Sequence, residues 1–230
     1  MDDELARRRE VNDLMRHDLR TRVGIGDGYL SLLLTHHDAL TPEQRAAALH
    51  GLAEAFARLA AFGRRVLMDE KLETREVRPE RGDVAVAALL APARAAYPGV
   101  VVTVAPEVPE TVHLDPVLVR EVLENLLDNA VAAAPEGTEV TLRVLARDGA
   151  LRVEVRDEGD GVTEADRAVL FQRYGRTERS RREGKPGMGL GLSIVRRLVE
   201  AHGGTYGVAT GGGTTFWFEL PVSPPGPASP

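Results

Sequence analysis

The 230-residue chain has no cysteine. Disulfides and thiolate metal sites are excluded, and the composition fits a reducing compartment. Lysine is nearly absent, with only Lys71 and Lys185, so arginine supplies the rest of the basic charge. An excess of positive charge is missing too: the net charge is −6, which gives no case for nucleic-acid binding. No run of 18 apolar residues exists. The most apolar stretch, "VAVAALLAPA" from Val84, is short and soon meets Arg94. The N-terminal "MDDELARRRE" lacks the apolar core of a signal peptide. The expectation is a cytoplasmic protein, or the cytoplasmic piece of a larger one. The C-terminal "PVSPPGPASP" reads as a Pro-rich tail, disordered over 223–230.

The first third is helical. Met15, Leu19, Val23, Gly26, Leu30 and Leu33 recur in steps of three and four within residues 3 to 37. "TPEQ" follows: Thr41 caps, Pro42 suits the first helical position, and Gln44 completes a capping box. A second helix shows Leu49, Leu52, Phe56, Leu59, Gly63 and Val66. Two helices of roughly 30 residues, each about 45 Å long, form an antiparallel hairpin. A bare hairpin leaves part of its seam uncovered, and a homodimeric four-helix bundle completes it. A helical linker packed on its own domain is the alternative.

Residues 71–83 carry no apolar period and read as a linker or edge strand. The remainder mixes helices and strands. Helices are expected at 84–97, through "PVLVREVLENLLDNAVAAA" and at 188–202. Strands are expected at "VVVTVA", on either side of Asp148-Gly149, and at "TYGVAT" and "TTFWFELP". Helices on one face of a mostly antiparallel sheet make an α/β sandwich, so the fold class is α+β. The division is 1–72 for the hairpin, 73–222 for the sandwich and 223–230 for the tail.

Three stretches carry chemistry. In "ENLLDNA", Asn125 and Asn129 are four apart and share a helix face. Carboxamide oxygens are hard ligands suited to Mg²⁺ bridging phosphates, although taken alone the pair reads more readily as polar helix surface. In "VRDEGDGV", Asp157 ends a strand and can accept from an amine, while Gly159 and Gly161 let backbone approach a flat ring. An ordinary turn has the same pattern. In "GKPGMGLGLSIVRR", Gly187, Gly189 and Gly191 open a helix whose N–H groups suit phosphate. Between the last two lies "LFQRYGRTERSRREGK", with Arg173, Arg176, Arg179, Arg181, Arg182 and Lys185. It reads as a flexible lid over a triphosphate, or as a solvated loop.

In order and spacing these segments resemble the sensor histidine kinases of two-component systems. "ENLLDNA" resembles their N box, "DEGDG" the G1 box, "LFQRYGR" the F box, "GMGLGL" the G2 box, and "HDLRT" the H box. The resemblance covers roughly residues 10 to 222. It implies an ATP-binding domain of the gyrase, chaperone and histidine-kinase superfamily, with ATP and Mg²⁺ as ligands. Asn125 and Asn129 would face metal and phosphates, Asp157 would take the adenine amino group, and Gly159 and Gly161 would shape that turn. Gly187, Gly189, Leu190 and Gly191 would hold the phosphates. His17 would be the phosphoacceptor, Asp18 its base, and Thr21 the residue that positions water in a phosphatase step. The implied partners are a second copy of the chain and a response-regulator receiver domain, with a sensor domain separate or missing.

Two departures stand out. Arg22 occupies the position five after the histidine where relatives often have proline, and "VAAA" stands where many carry a Lys-Tyr pair. Arg173 or Lys185 are the candidates to replace that pair's contacts. A nucleotide-binding scaffold with little transfer is therefore a second reading. An ATPase is a third: the superfamily's hydrolases resemble this chain but place a glutamate base where Asn125 stands, leaving Glu121, one turn earlier, as the rival base. A carboxamide cannot take a proton from water.

Three glycines, at 24, 26 and 28, interrupt the first helix, and each costs about 1 kcal/mol relative to alanine. Thr21, Gly24 and Gly28 share the face of His17, while Gly26 falls on the seam. The expectation is a bare face that admits a partner domain, together with a bend near the histidine. Close helix packing explains Gly26 alone.

Overall fold

A computed structural model describes residues 2–36, 38–74, 77–183 and 187–222 of the chain, and for residues 2–14, 17, 18 and 74 the backbone only. Lys185 and the 223–230 tail lie outside the described residues, as do the side chains of His17 and Asp18.

Two long helices, α1 (Asp2–Thr35) and α2 (Pro42–Thr74), open the chain. The expected capping box starts α2: the Thr41 N–H donates to Gln44 Oε1 at 3.0 Å, and the Gln44 N–H to Thr41 Oγ1 at 3.3 Å. The pair runs antiparallel, since Arg22 meets Phe62, Gly26 meets Ala55, and Tyr29 lies over Gly51. α1 passes unbroken through all three glycines. Gly26 sits on the seam, 3.7 Å from the Ala55 Cβ to its own ideal Cβ position, whereas Gly24 and Gly28 face open space.

The stretch at 71–83, expected as a linker or edge strand, divides into a helix end and a strand. α2 continues to Thr74 because Leu72 is buried in the core of the following domain. The other end of that stretch is strand β1 (Gly82–Ala85), which pairs antiparallel with β3 (Thr111–Leu114). Helix α3 (Val86–Ala96) begins two residues later than expected, because Val84 and Ala85 pair with Val112 and Thr111.

The main sheet holds β2 (Val100–Val104), β4 (Val140–Arg147), β5 (Ala150–Asp157), β6 (Thr205–Thr210) and β7 (Thr214–Pro221), in the order β2-β4-β5-β7-β6. β2 runs parallel to β4, and every other pairing is antiparallel. Asp148 and Gly149 have φ of 44° and 78°, as a two-residue hairpin turn between right-twisted strands requires. In β7, Thr214, Phe216, Phe218 and Leu220 are buried and their neighbours less so, which turns one sheet face inward. Helices α4 (Pro116–Ala133) and α7 (Gly191–Ala201) cover it, with Leu123, Leu126 and Leu127 meeting Ile194, Val195 and Leu198 in one core. Each such fully buried side chain contributes about 1.5–3 kcal/mol.

α7 starts at Gly191 rather than 188, because Gly187 and Gly189 have φ of 140° and 70°, outside the helical range. The basic stretch between β5 and α7 also carries two short helices, α5 (Glu164–Leu170) and α6 (Glu178–Arg182). Thr163 and Thr177 cap them, with hydroxyls accepting from the N–H of Asp166 and Ser180. "TEAD" and "TERS" are the local signals that mark these starts. Among the described residues, no helix is long and apolar enough to cross a membrane.

Candidate nucleotide-binding site

The site begins with the orientation of α4. Its N-cap Asp115 accepts from the N–H of Val117 and Leu118 at 2.9 and 3.1 Å through Oδ1. Its Oδ2 accepts the Glu80 N–H at 2.8 Å, tying the incoming chain to the helix start. The buried stripe of α4 faces the sheet, and Asn125 and Asn129 then line a cavity of about 410 Å³ beside α7. That size suits a small-molecule ligand.

Asn125 is only 3% exposed. Its Nδ2 donates to the Glu121 carbonyl at 2.8 Å and to Glu121 Oε1 at 3.3 Å. These bonds aim Oδ1 away from its own helix turn. Gly191 gives that oxygen room, for an ideal Cβ there would lie 3.0 Å from it.

Asp157 closes β5 and is fully buried. Its Oδ1 accepts the Gly159 N–H at 2.8 Å, while Oδ2 has no partner among the described residues. Burial pushes its carboxyl above the ordinary value, and hydrogen bonds from Gly159 and Thr214 act against that rise. A buried acceptor left open calls for a donor, and the cavity is where one can enter. Gly159 has to be glycine, since a Cβ would fall 2.6 Å from Asp157 Oδ1 and 2.9 Å from the Ala133 carbonyl. Gly189 combines a φ of 70° with a close approach, for its Cβ would lie 2.5 Å from the Gly175 carbonyl. The phosphate-type loop and the root of the basic stretch therefore pack backbone to backbone.

Gly161, Gly187, Gly189, Leu190 and Gly191 line the same cavity as Asn125, Asn129, Asp157 and Gly159. Residues from three separate sequence motifs thus meet at one place. Arg173 is not brought there. Its guanidinium turns back to α2, meeting Asp69 Oδ2 at 2.9 and 2.5 Å and Glu73 at 3.4 Å. Asp69 is 4% exposed, so a buried carboxylate captures the cation that the sequence assigned to nucleotide. Arg176 and Arg179 line the cavity instead. Arg176 donates to the Ser180 carbonyl at 3.0 Å, and Arg179 pairs with Asp160 at 2.6 Å. Thr21 is exposed on α1 and is not among the lining residues.

The hairpin supplies lining residues that sequence reasoning did not assign. Arg22, Phe62 and Arg65 close one side of the cavity, and the Arg22 guanidinium stacks 5.4 Å from the Phe62 ring centroid. Arg22 had been visible only as a departure from proline, and nothing local marks Arg65. Asp128, inside "ENLLDNA" and now at the cavity wall, had the motif itself as its signal.

The donor chemistry fits Mg²⁺. Two carboxamide oxygens at the wall of this cavity are hard, neutral ligands, and substrate phosphates complete such a site. Among the described residues, no cluster of three His, Asp or Glu offers an all-protein alternative.

Residues 114–224 match the family described as histidine kinase-, DNA gyrase B-, and HSP90-like ATPase. The sequence is 43% identical over 115 residues to the adaptive-response sensory kinase SasA of Synechococcus sp. (strain JA-2-3B'a(2-13)), covering 49% of this chain and 30% of that one. This half of the chain is similar to the ATPase domain of sensory kinases. Among solved histidine kinases, full-length ShkA in complex with AMPPNP matches with a TM-score of 0.59 and 29% identity, over 91% of this chain and 45% of that one. Histidine kinase ThkA, solved in complex with the response regulator protein TrrA, shares the fold with a TM-score of 0.65 at 19% identity, over 96% and 64% of the two chains. The chain thus spans about a third of the length of the sensory kinase it matches.

Proposed function

We propose that the chain is the core of a two-component histidine kinase, transferring the γ-phosphoryl group of ATP to His17 and then to an aspartate of a response-regulator receiver domain. The observation that carries this reading is the convergence of Asn125, Asp157 and the 187–191 loop on one cavity, in a chain whose first helix bears "HDLRT". Residues 1–72 are the dimerisation and phosphotransfer hairpin in this reading, and 73–222 the ATP-binding domain.

The adenine amino group donates to Asp157 Oδ2, and N–H groups at the start of α7 hold the phosphates. Mg²⁺ at Asn125 and Asn129 supplies charge neutralisation at the phosphates. A His17 ring nitrogen attacks the γ-phosphorus, the bond to the β–γ bridging oxygen breaks, and ADP leaves. Asp18 orients the ring or takes its proton. Thr21 orients water when the phosphoryl group is removed from the regulator.

Exposed apolar residues support a homodimer. Leu19, Val23, Leu30 and Leu34 of α1, with Leu49 and Phe56 of α2, are left uncovered by the single hairpin. A second copy buries such a face as a four-helix bundle does. The setting is cytoplasmic in this reading, and a sensor on another segment or protein supplies the signal.

Hydrolysis is disfavoured on chemical grounds. Asn125 holds the position of a hydrolase base and has no proton acceptor to offer water. Glu121 is bonded to Asn125 Nδ2 and is not among the cavity-lining residues.

Incubation with γ-labelled ATP tests the proposal. Acid-labile, base-stable label on the wild type and none on His17→Gln is the expected result. Nucleotide binding without label would instead make the chain a scaffold. Asp18→Asn slows labelling with ATP binding intact, and Thr21→Ala spares labelling but slows regulator dephosphorylation.

A further inference from the structure

The last turns of α2 lie against the nucleotide-binding half through one stripe. Arg65, Asp69 and Glu73, each four residues apart, share a helix face. Asp69 takes Arg173, and Glu73 takes Arg197 of α7 at 2.8 Å. Arg197 also donates to the Leu72 carbonyl, and Phe62 and Leu72 enter the shared core.

Arg65 is the member of this stripe that reaches the cavity. Its Nε donates to Asn125 Oδ1 at 3.1 Å, and an Nη bonds the Asp128 carboxylate. Asp128 is held ready from the other side, where the Tyr97 hydroxyl donates to Oδ1 at 2.5 Å. Asn125 cannot turn its oxygen elsewhere without giving up both bonds from Nδ2 to Glu121. The guanidinium therefore lies on the oxygen that the proposed function gives to Mg²⁺.

We propose that Arg65 is a tethered cation that stands in for Mg²⁺ at Asn125 Oδ1, so that the docked hairpin and the Mg-nucleotide-loaded site exclude each other. The inference rests on the nucleotide reading above. A guanidinium and a divalent ion on one carboxamide oxygen repel at a few ångströms, and the Asn125 side of that contact is only 3% exposed. Mg-ATP must displace Arg65, and with it the α2 end that Asp69 and Glu73 help to hold. Linkage makes the effect reciprocal: whatever lifts α2 off the catalytic half raises affinity for Mg-ATP, and Mg-ATP lifts α2. A hairpin freed in this way can bring its phosphoacceptor to the nucleotide.

The test uses the whole chain as wild type, Arg65→Met and Arg65→Lys, with ATP titrated in Mg²⁺ or in EDTA. Arg65→Met should bind Mg-ATP at least about fivefold more tightly than wild type, with no such gain for metal-free ATP. Arg65→Lys should stay close to wild type. Hydrogen exchange over residues 62–73 gives a readout apart from affinity and activity. It should rise in nucleotide-free Arg65→Met, and in wild type on adding Mg-ATP but less on adding metal-free ATP. Equal weakening with and without Mg²⁺ would make Arg65 a plain phosphate contact and overturn the latch. Unchanged affinity, with unchanged exchange, would also overturn it while leaving the nucleotide reading standing. Binding of no nucleotide by any of the three proteins would overturn both.

Discussion

Gly159 donates its backbone N–H to Oδ1 of Asp157 at 2.8 Å, while Oδ2 of the same buried carboxyl has no partner among the described residues. The two residues are a unit, with glycine supplying both a donor and the space in which the carboxylate stands. Burial raises the pKa of Asp157, so the folded chain holds a proton there more readily than the unfolded one. The stability linked to this group is fully present below the ordinary carboxyl value and is lost as pH rises through the raised one.

Asp157→Asn removes that titration. The nucleotide-free variant should melt higher than wild type at neutral pH, and the gap should close as pH falls towards the ordinary carboxyl value. Its affinity for ATP should drop, because an amide nitrogen then competes for the place of an acceptor. Melting curves across pH, paired with ATP titration, check both. A variant that melts lower at neutral pH would mean that Asp157 serves the fold rather than a ligand.

Gly159→Ala tests the other half of the pair. The added methyl would press on Asp157 Oδ1 and on the Ala133 carbonyl. Overpacking of this kind costs about 1–3 kcal/mol. ATP affinity should fall with stability, whereas Gly149→Ala, far from the cavity, should leave ATP affinity unchanged.

Arg173→Met separates a nucleotide contact from an interhelical one. Asp69 loses its cation while 4% exposed, and an unsatisfied buried group costs about 1–3 kcal/mol. The melting temperature should fall while intrinsic ATP binding to the catalytic half persists. A large loss of ATP affinity without loss of stability would return Arg173 to the role that its sequence position suggested.

The glycines of α1 divide by surroundings. Gly24→Ala and Gly28→Ala meet open space in an unbroken helix, so each should stabilise by up to about 1 kcal/mol. Gly51→Ala should destabilise, since its methyl would enter the Tyr29 ring. If the bare face serves access, the double variant at 24 and 28 melts higher and transfers phosphoryl more slowly. A higher melting temperature with a full transfer rate would show that access is not what these glycines provide.

The start of α2 at its capping box, the Asp148-Gly149 turn and the three segments that meet at the cavity were all legible in the amino-acid order. Each rests on a local rule: a capping box spans four residues, a turn needs positive φ at two, and a motif is a contiguous segment. The periodicity of α2 likewise shows which residues share a face, but it does not say what that face meets. Arg173 found Asp69 across 104 positions, and Arg65 found Asn125 across 60. β1 found β3 only once the chain had passed through α3 and β2. Those partners were chosen by burial. The packing of α2 onto the catalytic half removed water from Asp69, and a carboxylate so enclosed takes the cation that the fold brings within reach, whatever neighbours that cation has in sequence.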